Sequence, residues 1–112
     1  MFKNKRIKPF FGRGRKINLG HPIYVYKRKN NENYYLGLTH SPNTDGMNNY
    51  KLYKNPNPED PRESYILYKQ DSTSEKINKK YPHWRFDQRD RKLIKTLINK
   101  NKKSWRYEFN RF

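Results

Sequence analysis

The chain has 112 residues, enough for one domain and too few for two. Lys and Arg total 27 against 10 Asp and Glu, a formal charge of +17, and only 31% of residues are hydrophobic, which excludes a large enzyme with a deep apolar cleft. Cysteine is absent, which removes disulfides, thiol nucleophiles and cysteine zinc sites together. Neither an apolar run of about 18 residues nor a signal-peptide start occurs, so the expectation is a cytoplasmic protein with no membrane span.

Residues 1–18 read as a basic flexible arm, because Pro9, Gly12 and Gly14 break any period; Phe2, Phe10 and Phe11 are placed to tack it down. One domain is expected over 19–103. His21 to Lys27 is β-branched and aromatic, the text of a strand, and Pro22 is tolerated near its start. After a turn at 29–33, Tyr34 to His40 reads as the return strand. Tyr34, Leu36 and Leu38 fall on one face, and Tyr35, Gly37 and Thr39 on the other. Gly37 implies a bend or a close backbone approach. A loop at 41–48, a third strand at 49–54, a proline-rich turn at 55–61 and a fourth strand at 64–69 follow. Residues 70–80 read as a connection. Asp87 caps a helix with Asp90 in its first turn. Leu93, Ile94, Leu97 and Ile98 form its apolar stripe, and Lys100, Lys102 and Lys103 suit its negative end. Residues 104–112 are an aromatic tail, either a last strand or unstructured. The expected class is mainly β or α+β, a small bent antiparallel sheet or barrel with a C-terminal helix.

Alanine is missing, and Phe, Tyr and Trp make up 16% of the chain, so the core is expected to be aromatic. AT-rich codons can account for part of the lysine excess but not for the ten arginines. Ten cations precede the first carboxylate, Glu32, and a second basic block runs from Arg89 to Lys103. That distribution points to an anionic partner, most simply nucleic acid. No phosphate-binding glycine loop, HExxH, EF-hand loop or GxSxG is present, and three scattered histidines suggest no metal and no cofactor. Glu59, Asp60 and Glu63 read as a balance to Arg62 and its basic neighbours.

The first hairpin carries the most chemistry. The start of one strand lies beside the end of its antiparallel neighbour, so His21 is expected near Thr39, His40 and Ser41. Imidazoles exchange protons near neutrality. Metal-free RNA cleavage needs such groups: a base for the ribose 2′-hydroxyl, a cation for the crowded anionic transition state and an acid for the leaving oxygen.

Taken in order, several segments resemble the PemK/MazF (Kid-type) endoribonuclease toxins. Gly20-His21-Pro22-Ile23-Tyr24-Val25-Tyr26 stands where that family has an Arg-Pro-Val strand after a basic segment. Gly37-Leu38-Thr39-His40-Ser41 stands where its next strand ends in a Thr-Ser pair. Arg62-Glu63-Ser64-Tyr65-Ile66-Leu67 matches a Ser-Tyr-Val/Ile strand, and Trp84 to Leu97 a final segment and helix. The similarity covers roughly residues 18–99. It implies an SH3-like barrel and a metal-independent endoribonuclease acting on single-stranded RNA. It also implies an acidic antitoxin that folds over the basic groove, and a homodimer. Thr39 would contact the scissile phosphate, with His21 and His40 as acid and base in either order. Arg62 and Ser64, beside Ser41, would hold phosphate. Arg13, Arg15, Lys16 and Arg28 would bind the RNA backbone, and Tyr24, Tyr26, Tyr35 and Trp84 would stack on bases. His21 departs from the pattern, since the family has a catalytic arginine there and histidine is a poorer phosphate clamp. Arg62, Arg28 or an N-terminal arginine would then supply the cation. The competing expectation is a non-catalytic nucleic-acid-binding protein of a phage, plasmid or ribosome, with its affinity in the basic arm.

Overall fold

The computed structural model describes residues 7–109, with side chains as far as residue 100. Strand β1 (Phe10–Arg13) comes first, and a 3-10 turn (Ile17–Gly20) leads into β2 (Ile23–Lys29) and β3 (Glu32–Thr39). The β2–β3 turn is Asn30-Asn31, with φ of 53° and 62°. Two left-handed residues are what a tight hairpin turn requires, and asparagine tolerates that region. The small hairpin of β4 (Asn43–Thr44) and β5 (Met47–Asn48) follows, then β6 (Tyr50–Lys51), β7 (Tyr65–Ile66), β8 (Asp71–Thr73) and β9 (Lys79–Lys80). A second 3-10 turn (Gln88–Asp90) runs directly into helix α1 (Arg91–Phe109).

All pairings are antiparallel, and the main sheet has the order β6-β7-β3-β2-β1-β9. Strand β3 is its spine. One edge pairs with β2; the other pairs with β8 at Asn33–Tyr35 and with β7 at Leu38 and Thr39. A register shift between Val25 and Lys27 marks a bulge in β2. Strands β6 and β9 end the order without pairing to each other, so the sheet is open and the class is α+β.

Helix α1 covers one face. Ile94 and Leu97 are buried against Phe11, Leu36, Leu38, Leu52 and Ile66. Full burial of such a side chain contributes roughly 1.5–3 kcal/mol. The opposite face holds a smaller cluster of Ile17, Ile23 and Val25, with Phe10, Tyr35 and Ile77 packed on it. The expected alternation in β3 is therefore real: Leu36 and Leu38 join the main core, while Tyr35 joins the second. The close approach expected at Gly37 also occurs, since a Cβ there would lie 2.5 Å from Leu67 Cδ1.

Several expectations are corrected, among them the loop expected over 41–48, which contains the β4–β5 hairpin. The segment read as a flexible arm contains β1, whose Phe10 and Phe11 alternate onto the two cores; residues 1–6 of that arm lie outside the described residues. Gly12 looked like a chain breaker but allows a close approach: a Cβ there would sit 2.7 Å from the Lys79 carbonyl oxygen. The 70–80 connection contains β8 and β9. Lys79 and Lys80 carry no apolar pattern, because only pairing with β1 makes them a strand. The tail continues the helix through Phe109, since no Gly or Pro interrupts 91–109; residues 110–112 lie outside the described residues. Among the described residues no helix is long and apolar enough to cross a membrane.

Candidate nucleic-acid interface

A groove of about 760 Å³ runs between α1 and the β1–β9 side of the sheet. Backbone bonds position its wall. Tyr81 N donates to Phe11 O at 2.9 Å, and Trp84 N donates to Tyr81 O at 3.2 Å. That turn stacks the Tyr81 and Trp84 rings, with centroids 4.2 Å apart and planes 9° from parallel. Phe11, Tyr24 and Phe86 form the floor, with each centroid 4.8 Å from the next. Burial pushes the Tyr24 phenol above its ordinary pKa, so it stays neutral.

The rim is cationic. Lys8, Lys80, Arg85, Arg91 and Lys95 line the groove, and no carboxylate does so among the described residues. Lys80 Nζ lies 4.6 Å from the Phe10 ring centroid, and Lys79 Nζ and the Arg13 guanidinium lie 5.6 and 5.9 Å from that of Tyr81. Such contacts hold cations over ring faces. Cations at a rim and ring faces within suit an anionic strand whose bases are free to stack. Of the stacking residues expected from sequence, Trp84 lies here, half-buried beside Tyr81, and Tyr24 serves mainly as floor. Tyr26 packs on the main core and Tyr35 on the second, both half-buried and outside the groove. Lys80, Tyr81, Arg85 and Phe86 were missed. Their only signal was aromatic and basic residues interleaved over 80–86.

Of the expected catalytic residues, His40 sits in a separate cluster of charged side chains. His40 Nδ1 donates to the Glu63 carbonyl at 2.9 Å, and its Nε2 lies 3.5 Å from Asp60 Oδ2, an ion pair when the ring is protonated. Both ring nitrogens therefore face protein acceptors. Arg62 grips the same carboxylate through Nε at 3.0 Å and Nη2 at 2.9 Å. Those bonds hold the Asp60 carboxyl at about 2. Lys51 pairs with Glu63 at 3.1 Å, and Tyr65 donates to Glu63 at 3.0 Å. The expected balance of Glu59, Asp60 and Glu63 against Arg62 thus acts through Asp60, with Glu63 paired to Lys51. Thr39 lies beside this cluster, and its Oγ1 accepts the Ser41 amide at 3.1 Å. Ser41 is exposed; Ser64 is buried at 3% exposure, its hydroxyl withdrawn from where a phosphate would sit.

His21 is exposed at the mouth of β2. The bond from Leu38 N to Pro22 O, 3.0 Å, puts its backbone alongside Thr39 as expected. The Asn18 side chain clamps this corner by donating to Pro22 O and Leu38 O. Among the described residues no hydrogen bond or ion pair joins His21 to Thr39 or His40. Arg15, Lys16 and Arg28 are exposed outside the groove. The backbone amides of Lys16 and Ile17 are tied to the Glu75 carboxylate at 2.9 and 3.1 Å. Among the described residues no three His, Cys, Asp or Glu side chains are grouped to hold a metal ion. No family model matches this chain, and comparison with curated proteins and with solved structures gives no match.

Proposed function

We propose that this chain binds single-stranded RNA in the groove between α1 and the sheet, with phosphates on the cationic rim and bases against Tyr81 and Trp84. One observation carries this reading: among the described residues, five cations and no carboxylate line the groove with its aromatic floor and wall. A duplex buries its base faces, so the ring surfaces favour an unpaired strand. We read the bent sheet as a small SH3-like barrel of the kind the PemK/MazF resemblance implies. The sharing of β3 between two neighbours on one edge supports that reading. The cytoplasm is the compartment that fits an RNA ligand and a chain without cysteine.

The test is anisotropy of labelled single-stranded RNA, the matching DNA and a hairpin duplex on the full chain. Single strands are expected to bind most tightly. Trp84→Ala is expected to weaken them about tenfold, since stacking contributes about 1–3 kcal/mol per base. Duplex binding as tight as single-strand binding, with Trp84→Ala indifferent, would sink the proposal.

A second reading is the metal-independent endoribonuclease. It is favoured by His40 and Arg62 meeting on the Asp60 carboxylate, with Thr39, at the end of β3, next to His40 and with His21 across the β2–β3 corner. In that reading His40 leaves the Asp60 pair to exchange protons with RNA, Arg62 meets the phosphate, and an acidic antitoxin and a homodimer belong to its biology. Its test is incubation with single-stranded RNA in chelator beside His21→Ala and His40→Ala. Fragments ending in cyclic phosphate from the wild type alone would establish it, and intact RNA in every lane would exclude it.

A further inference from the structure

Among the described residues three large hydrophobic side chains stand mostly in solvent: Leu19, Met47 and Tyr53. Tyr53 differs from the other two in being built into place. Its amide donates to Asp90 Oδ1 at 2.7 Å, and the next amide, Lys54, donates to Oδ2 at 3.3 Å. Asp90 is itself buried, at 4% exposure. The Arg89 guanidinium lies 3.8 Å from the Tyr53 ring centroid. Arg89 in turn is fixed by Asp87, through Nε at 2.9 Å and Nη2 at 3.3 Å. One ring face is thus occupied by a planar cation, yet Tyr53 remains 70% exposed, which leaves the other face open.

We propose that Tyr53, backed by Arg89, is a second stacking platform that takes an unpaired base of the same RNA strand. This rests on the groove reading above and extends that site. Arg91 lines the groove, and Arg89, two residues earlier, backs the platform. Their Cα atoms are at most about 7.6 Å apart, because consecutive Cα atoms are 3.8 Å apart. Residues two apart on a helical turn project to different sides, so a single strand leaving the groove at Arg91 crosses the start of α1 to reach the platform. A base is the occupant that fits: it offers a flat face to the ring, and its phosphates meet the exposed Lys54 and Arg91. Arg89 polarises the ring from behind, and the fixed backbone means that little side-chain freedom is lost on binding. A flat, sequence-tolerant contact of this kind adds affinity without base identity.

The experiment compares labelled oligouridylates of about four and about twelve nucleotides on the full chain, lengths that bracket small single-strand sites. Wild type is expected to prefer the longer one. Tyr53→Ala is expected to lose about tenfold in affinity for the long strand and nothing for the short one, while Tyr53→Phe keeps both. The unfolding midpoint of each variant checks that the fold is intact. Unchanged long-strand binding by Tyr53→Ala overturns the platform alone, as does an equal loss at both lengths. Binding of neither length by wild type overturns the groove reading and the platform with it.

Discussion

Removal of a single rim charge has a consequence that can be calculated. Lys8, Lys80, Arg85, Arg91 and Lys95 line the groove. A single strand releases about 0.7 counterion per phosphate neutralised, so engagement of all five gives a slope of log affinity against log salt near about −3.5. Between about 50 and about 200 mM salt, affinity then falls roughly a hundredfold. Arg91→Gln deletes one contact and should flatten the slope to about −2.8, weakening all RNA sequences alike. Glutamine keeps the helix propensity at this exposed position in the first turn of α1, so the fold should be unaffected. The assay is anisotropy of labelled single-stranded RNA at stepped KCl, with wild type, Arg91→Gln and Arg28→Gln. Arg28 is exposed near the hairpin tip and outside the groove, so its substitution should leave the slope nearly unchanged. A wild-type slope shallower than about −1.5 would refute the groove as the binding surface. So would a slope flattened by Arg28→Gln but not by Arg91→Gln.

Asp90→Ala should destabilise the chain by about 2 kcal/mol in urea unfolding, because two amides, Tyr53 and Lys54, lose their acceptor. Asp90→Asn keeps one acceptor oxygen and should cost less; equal losses for the two variants would contradict this. Gly12→Ala should cost about 1–3 kcal/mol, since its Cβ meets the Lys79 carbonyl and Ile77. It should also weaken RNA binding, because β9 carries the rim residue Lys80; unchanged stability would show that β9 moves freely. Asp60 and Asp87 are held at about 2, against an ordinary 3.8, chiefly by hydrogen bonds from Arg62 and Arg89. The unfolded chain therefore takes up protons first as pH falls. Stability should be full above about pH 4 and decline towards about pH 2. Urea midpoints at stepped pH will show the decline, and a midpoint that rises on acidification through that window would contradict it.

Much of the architecture was legible because it is written locally. The alternation Leu36, Leu38 against Tyr35 marks β3, the Asn-rich turn marks its hairpin, and Asp87 with the Leu93–Ile98 stripe marks the capped start of α1. The charge, the aromatic core and Trp84 were equally open to reading. The contacts between distant segments were not. Lys79 and Lys80 form a strand only because Gly12 and Arg13 present a free edge, and that pairing carries Tyr81 to its stack with Trp84 and shapes the groove. The same holds for His40. Its sequence neighbours show a histidine at a strand end, and only the return of residues 60–63 sets a carboxylate and a carbonyl against its two nitrogens. The sequence alone determined the strands of the first hairpin, the helix and the cationic balance, because those follow from side-chain periodicity and composition. The tertiary structure alone decided which rings line a groove and which cations already have partners, because these depend on the register of strands far apart in the chain, and no local pattern encodes that register.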